Sequence, residues 1–203
     1  MFLTTLVNNP VFFLRYIVII IISITLHELA HGFAAMSQGD DTPKRAGHIT
    51  LNPGVHMGVE SLIFLCIAGI SWGQMPVNPY KFRNGRISDI WVSAAGPLSN
   101  LALALLSILL LLIFYDSGLL SRDFIYLAAR VNLTLFLFNM LPIPPLDGFS
   151  IFSNIFPELK QLQGSPIGTF GLMIIFLIPG FGGGLIKIAD SLILTCIRFK
   201  FGF

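Results

Sequence analysis

The sequence predicts an all-α polytopic membrane protein: a bundle of about five to six transmembrane or half-spanning helices, with a small membrane-associated β-hairpin after the first span. Three observations predict it. Of 203 residues, 55% are hydrophobic and 11% charged, where a soluble domain carries about 25% charged residues. The apolar residues fall in long runs, beginning with Val11 to Leu26. The few lysines and arginines sit in short polar stretches between those runs, at Lys44-Arg45, at Lys81, Arg83 and Arg86, and at Arg198 and Lys200, as flanks of membrane segments do. Residues 1–203 read as a single domain, without repeats.

The first apolar run, about Val11 to Met36, is long enough to cross a bilayer, which takes about 20 residues. Its start carries no cleavable signal pattern, because the apolar stretch after Arg15 continues without a break. Gln38 to Gly58 has turn chemistry at Gly39-Asp40-Asp41, Pro43-Lys44-Arg45 and Asn52-Pro53-Gly54. Between these turns His48-Ile49-Thr50-Leu51 alternates like a strand, which predicts the hairpin. Val59 to Trp72 is short for a span and reads as a tilted or re-entrant helix. A third span covers about Ile90 to Tyr115 and ends at Asp116-Ser117-Gly118; a fourth covers about Phe124 to Leu141 and stops at Pro142. Gly168 to Phe199 is too long for one straight span and reads as two pieces broken at Pro179 to Gly184. Four spans are thus firm.

His27-Glu28-Leu29-Ala30-His31 closes the first apolar run. On a helix the two histidines project from one face and can grip one metal ion, while the glutamate of such a motif is the usual general base for a metal-activated water. The motif implies a metal-dependent hydrolase working inside a membrane. Catalytic zinc usually takes three protein ligands, so a third is needed. His48 and His56 are candidates, but Asp147 stands out. Asn139-Met140-Leu141-Pro142-Ile143-Pro144-Pro145-Leu146-Asp147-Gly148 ends the fourth span with three prolines, which stop a helix and leave the chain extended. An ionised aspartate beside apolar helices is costly unless something positive neutralises it.

HELAH on an early span with NMLPIPPLDG on a later one resembles the site-2 protease family of intramembrane zinc metalloproteases. The GDDTPKRAGHITLNPGVH segment, the MPVNPYKFRN loop and Ala95-Gly96-Pro97-Leu98-Ser99-Asn100 also match its small bacterial-type members, so the resemblance covers roughly Ser23 to Phe156. It implies one Zn2+ per chain held by His27, His31 and Asp147, with Glu28 as catalytic acid/base and Asn139 holding substrate or the developing oxyanion. His56 matches a histidine common in the subgroup. The chain departs from the pattern at Gly58, where an acidic residue is frequent, and in a shorter loop before Pro76. No PDZ or CBS domain is recognisable. The implied partners are a membrane-protein substrate with a transmembrane segment and the lipid bilayer; a homo-oligomer or a regulatory membrane partner stays open. The implied location is the cell (inner) membrane of a prokaryote.

Other patterns carry less. A net charge of +2 is too small to suggest nucleic acid. Cys66 and Cys196 form no CxxC pair and read as small buried hydrophobes. Gly69-Ile70-Ser71-Trp72-Gly73 is a GxSxG, but no histidine follows Ser71 and no lysine lies in a plausible partner span, so the glycines read as close-packing positions. Asn132 reads as an interhelical hydrogen bonder, and Arg130 and Asp190 as paired or snorkelling. Gly180 to Gly184 matches GxxxG but reads as a flexible break. The rivals to a protease are an ion-handling transporter, since intramembrane His and Glu also relay protons, and a binder that keeps metal only for structure.

Overall fold

Asn9 and Pro10 set the first long helix. Proline opens it where a backbone N–H is not needed, and Asn9 Oδ1 accepts from Phe12 N at 3.0 Å. In the computed structural model, which describes residues 2–115, 120–162, 170–172, 174–175 and 178–202, this helix is α2 (Pro10–Ser37) after a short α1 (Thr4–Asn8). There follow α3 (Thr42–Arg45), α4 (Pro53–Ala68), α5 (Arg86–Phe114), α6 (Arg122–Asn139), α7 (Asp147–Ile155) and α8 (Phe181–Phe201). The expected end of the third span at Asp116 to Gly118 lies outside the described residues, as does part of Gly168 to Leu177.

Among the described residues two helices, α2 with 28 residues and α5 with 29, are long and apolar enough to cross a membrane. These are the first and third expected spans. The fourth corresponds to α6, whose 18 residues include Arg122, Asp123 and Arg130, so its apolar composition is weaker.

The expected hairpin is absent: no strand occurs among the described residues. Pro43 fits the first turn of a helix, so Thr42-Pro43-Lys44-Arg45 winds into α3. The next N–H groups are then satisfied locally, with His48 N donating to Pro43 O at 2.9 Å and Asn52 N to Thr50 Oγ1 at 3.2 Å. The Asn52-Pro53-Gly54 turn opens a short helical piece, with Asn52 Oδ1 accepting from Gly54 N at 2.9 Å; α4 then kinks at Gly58 (φ 69°), and its longer part begins at the expected Val59.

That segment and the chain after it form an out-and-back excursion along α2. α4 runs back along α2 until Tyr16 Oη donates to Gly69 O at 3.0 Å. The chain then returns in extended form past Glu28 to Lys81, whose Nζ donates to Asp41 Oδ1 at 2.7 Å. Lys44-Arg45 and the Lys81–Arg86 cluster therefore lie at the same end of the bundle. Buried Asp40 ties the return together. Its Oδ1 accepts from Thr42 N at 3.0 Å and its Oδ2 from Asn78 N at 2.6 Å.

The break near the C-terminal end falls at the expected Pro179 but is shorter than Pro179 to Gly184. Gly180 caps α8 with φ 85°, and Gly182 to Gly184 form its first turn. α6 is central: Ile125, Ala129 and Leu133 pack with Ala104 and Ile108 of α5 and Ala189 and Ile193 of α8, while Leu127 and Val131 pack with Ile20 and Ile24 of α2 and Leu65 of α4. The cysteines correct another expectation. Both are free, but Cys196 is exposed and Cys66 half-buried, because outward faces of these helices are apolar and a small hydrophobe there needs no burial in protein.

Candidate metal centre

The α2 face that carries His27 and His31 meets α5 at Gly96. A Cβ on Gly96 would collide with the Nε2 atoms of both histidines, so only glycine leaves room for the pair. Pro97 follows it inside α5 and removes the N–H that would bond the Ser93 carbonyl, loosening that turn.

Each imidazole is oriented by α5. His31 Nδ1 stands 2.7 Å from Val92 O, a group that only accepts, so Nδ1 carries the hydrogen. His27 Nδ1 stands 2.6 Å from Asn100 Oδ1. The Asn100 Nδ2 donates to Asn132 Oδ1 at 3.1 Å and to Ser23 O at 3.4 Å, which fixes its oxygen toward His27. Both Nδ1 atoms are therefore donors, and both Nε2 atoms present lone pairs. These lone pairs point at each other across 3.0 Å.

Asp147 completes the group. α6 stops at Asn139, the prolines carry the chain across, and α7 begins at Asp147 itself. Gly148 permits this approach, since a Cβ there would strike the Met140 and Leu141 carbonyls. Asp147 Oδ2 lies 3.1 Å from His27 Nε2 and Oδ1 lies 3.4 Å from His31 Nε2. The carboxylate sits in the first turn of α7, where the helix N-terminus favours negative charge.

The three residues line a cavity of about 520 Å³ together with Glu28 and Asn139. Glu28 is buried, and Gly73 on the returning chain packs so closely that a Cβ would collide with its carboxylate. Asn139 faces the same space, with its Nδ2 donating to Leu135 O at 3.1 Å. The extended wall is pinned by Ser61 Oγ, which donates to Trp72 O at 2.7 Å and accepts from Trp72 N at 2.9 Å, and by Gln74 N donating to His56 O at 2.8 Å.

The other candidates stand apart from the ligand group. His56 Nε2 lies 2.7 Å from Thr50 O and its ring packs edge-on to His48, so His56 holds the 46–56 loop and neither ring joins His27 and His31. Ser71 reaches the cavity, but its Oγ is buried with no hydrogen-bond partner, so no base activates it. Asn132 is an interhelical bonder, as expected. Arg130 Nε pairs with Asp190 Oδ1 at 2.6 Å. Asn100 and Gly96 had no assigned role in the sequence; the available signal was a lone amide in the apolar run after Gly96-Pro97.

The family profile of peptidase family M50 matches residues 115–181. The chain is 37% identical over 183 residues to "Putative zinc metalloprotease YwhC" of Bacillus subtilis, covering 84% of each chain. The chain belongs to peptidase family M50, the site-2 protease family. It is also 30% identical to "Putative zinc metalloprotease Rip2" of Mycobacterium tuberculosis, over 80% of this chain and 66% of that one. It is 25% identical to "Zinc metalloprotease MJ0392" of Methanocaldococcus jannaschii, over 98% and 51%. No solved structure matches it.

As a family M50 chain it is a zinc metalloendopeptidase, and its two apolar helices fit the membrane location of that family. The donor set fits zinc. Two imidazole nitrogens and a carboxylate, all within 4.8 Å of one another, converge with lone pairs and no shared donor. Ligands of a tetrahedral zinc at about 2.1 Å stand about 3.4 Å apart; the two Nε2 atoms here are 3.0 Å apart, and His27 and His31 reach different oxygens of Asp147, Oδ2 at 3.1 Å and Oδ1 at 3.4 Å. Without a cation the lone pairs would repel.

Proposed function

We propose that this metalloprotease is an intramembrane endopeptidase that hydrolyses peptide bonds within or next to transmembrane segments, with His27, His31 and Asp147 as zinc ligands and Glu28 as general base. The observation that carries the reading is the convergence of the three ligand atoms beside a buried glutamate, on helices built from apolar sequence.

Zinc in that site supplies Lewis acidity toward the scissile carbonyl and the attacking water. The Glu28 carboxylate takes the proton from that water and later delivers it to the leaving amine. Asn100 and the Val92 carbonyl hold the histidine Nδ1 hydrogens, so the Nε2 lone pairs stay available without reorganisation. Asn139 can turn its amide from Leu135 O toward the substrate carbonyl, where a donor stabilises the developing oxyanion. The wall at Gly73 keeps Glu28 away from lipid and bulk water. A substrate helix hides its carbonyls in internal hydrogen bonds, so it must unwind locally to reach this cavity. The substrate is a membrane protein in the same bilayer, read as the cell (inner) membrane of a prokaryote.

The test is Glu28→Gln in the purified full-length chain with a single-span substrate. Zinc content should stay unchanged while cleavage falls at least about 100-fold. Cleavage that persists in the variant would overturn the glutamate as base. Wild-type chain that cleaves soluble peptides but no membrane-spanning substrate would overturn the intramembrane reading.

A further inference from the structure

The metal centre occupies only part of its cavity. Along α5 the lining continues from Ser93 and Val92 back to Asp89 in the first turn of the helix, and it includes Pro79 of the returning chain. Asp89 precedes Gly96, the residue against both Nε2 atoms, by seven positions, about 10 Å along the helix. A further carboxylate thus lines the space in which a substrate must lie, toward the end of the bundle that holds Lys44-Arg45 and the Lys81–Arg86 cluster.

Asp89 is half-buried, and its Oδ2 accepts from Asn154 Nδ2 of α7 at 2.6 Å. The same Nδ2 donates to Ser150 O at 2.9 Å, which fixes the orientation of the amide. The bond to Asp89 ties α5 to α7, and it needs only an acceptor, which an asparagine at this place would also supply. The packing therefore does not account for the negative charge. No Lys, Arg or His among the described residues pairs with Asp89, Arg86 one turn earlier included, and the residues outside the description contain no such side chain. The start of α5 favours an anion in its first turn, but an anion half out of water still carries a cost that a cation would offset.

We propose that Asp89 sets substrate specificity: its carboxylate pairs with a Lys or Arg in the flank of the transmembrane segment being cut. The proposal rests on the intramembrane endopeptidase reading. Flanks of membrane spans carry Lys and Arg, whose long side chains reach out of the hydrocarbon. A substrate unwound in the cavity advances about 3.3 Å per residue. The basic side chain therefore stands about three residues from the scissile bond. A glutamine there fills similar space and leaves the carboxylate unpaired; a glutamate adds like-charge repulsion.

Single-span substrates that carry Lys, Gln or Glu about three residues to either side of the mapped scissile bond are offered to the detergent-purified full chain. Wild type should show a kcat/KM about 10-fold higher for Lys than for Gln, with Glu lowest. Asp89→Asn, which keeps an acceptor for Asn154, should bring the Lys-to-Gln ratio to about 1. Asp89→Glu should keep the preference for Lys. Asp123→Asn, which removes an exposed carboxylate beside Arg15 at the other end of the bundle, should keep the full ratio. Equal cleavage of the Lys and Gln substrates by wild type overturns the proposal and leaves the endopeptidase reading standing, as does a ratio that survives in Asp89→Asn. If no substrate is cut, the endopeptidase reading falls, and binding of the same segments to the chain decides the pairing. Binding that favours Lys over Gln in wild type but not in Asp89→Asn supports it, and equal binding overturns it.

Discussion

Asn100 Oδ1 lies 2.6 Å from His27 Nδ1, and this contact decides which nitrogen of the imidazole is left for a metal. Asn100→Leu keeps the volume and removes the acceptor. Zinc affinity should fall about 10- to 100-fold, as for other partners of metal-bound histidines. Asn100→Asp keeps an acceptor at that place and should keep most of the affinity. Competition against a chelator of known affinity measures both, and an unchanged affinity in Asn100→Leu would remove the residue from the site.

Gly96 and Gly183 make a matched pair of alanine substitutions. At Gly96 the new Cβ would occupy the space between the two histidine Nε2 atoms. Gly96→Ala should yield a helical chain that retains little zinc. At Gly183, in the first turn of α8, nothing lies within 4 Å of the new Cβ, so alanine should stabilise the chain by about 0.5–1 kcal/mol. Circular dichroism and zinc analysis on the same preparations separate the two outcomes.

The legible half of this centre was the part written locally. His27 and His31 share a face by helical spacing alone, and three prolines before Asp147 announce that the chain stops being helical where a carboxylate follows. The other half depends on a crossing that spacing does not encode. Asn100 and Val92 reach histidines 73 and 61 positions away, because Gly96 lets α5 approach α2. The apolar runs located α2, α5 and α6 within a few residues. The missing hairpin shows the reverse problem: alternation at His48 to Leu51 resembled a strand, but Thr42-Pro43 starts a helix and leaves no partner strand. Asp40 read as a turn residue. Its burial follows only from the return of residues 69–81 along the bundle, a tertiary event.

Asp40 should make stability depend on acid. Burial alone would raise its carboxyl, but hydrogen bonds from Thr42 and Asn78 and the charge of Lys81 outweigh it and hold the group below the usual carboxylate range. A depressed folded value stabilises the fold fully above the ordinary value of about 4, and that stabilisation is lost as pH falls through the folded value. The wild-type thermal midpoint in detergent should therefore drop on acidification below pH of about 4. Asp40→Asn should cost about 1–3 kcal/mol at neutral pH, since one of the two N–H donors loses its acceptor. It should also flatten the acid limb. An acid limb as steep as in wild type would assign it to other carboxylates.

Ser71 and the metal make opposite predictions about which reagent stops cleavage. Ser71 lines the same cavity as Glu28, but its Oγ is buried and has no hydrogen-bond partner, and a serine without a base to take its proton is a poor nucleophile. Ser71→Ala should change kcat/KM by less than about 2-fold, because it removes a hydroxyl that bonds to nothing. Serine-directed phosphonates should leave the enzyme active. A chelator should abolish cleavage, and added zinc should restore it, because the proposed chemistry depends on the ion that His27, His31 and Asp147 would hold. Activity that survives chelation but disappears in Ser71→Ala would transfer the chemistry to the serine and leave the histidine pair without a catalytic role.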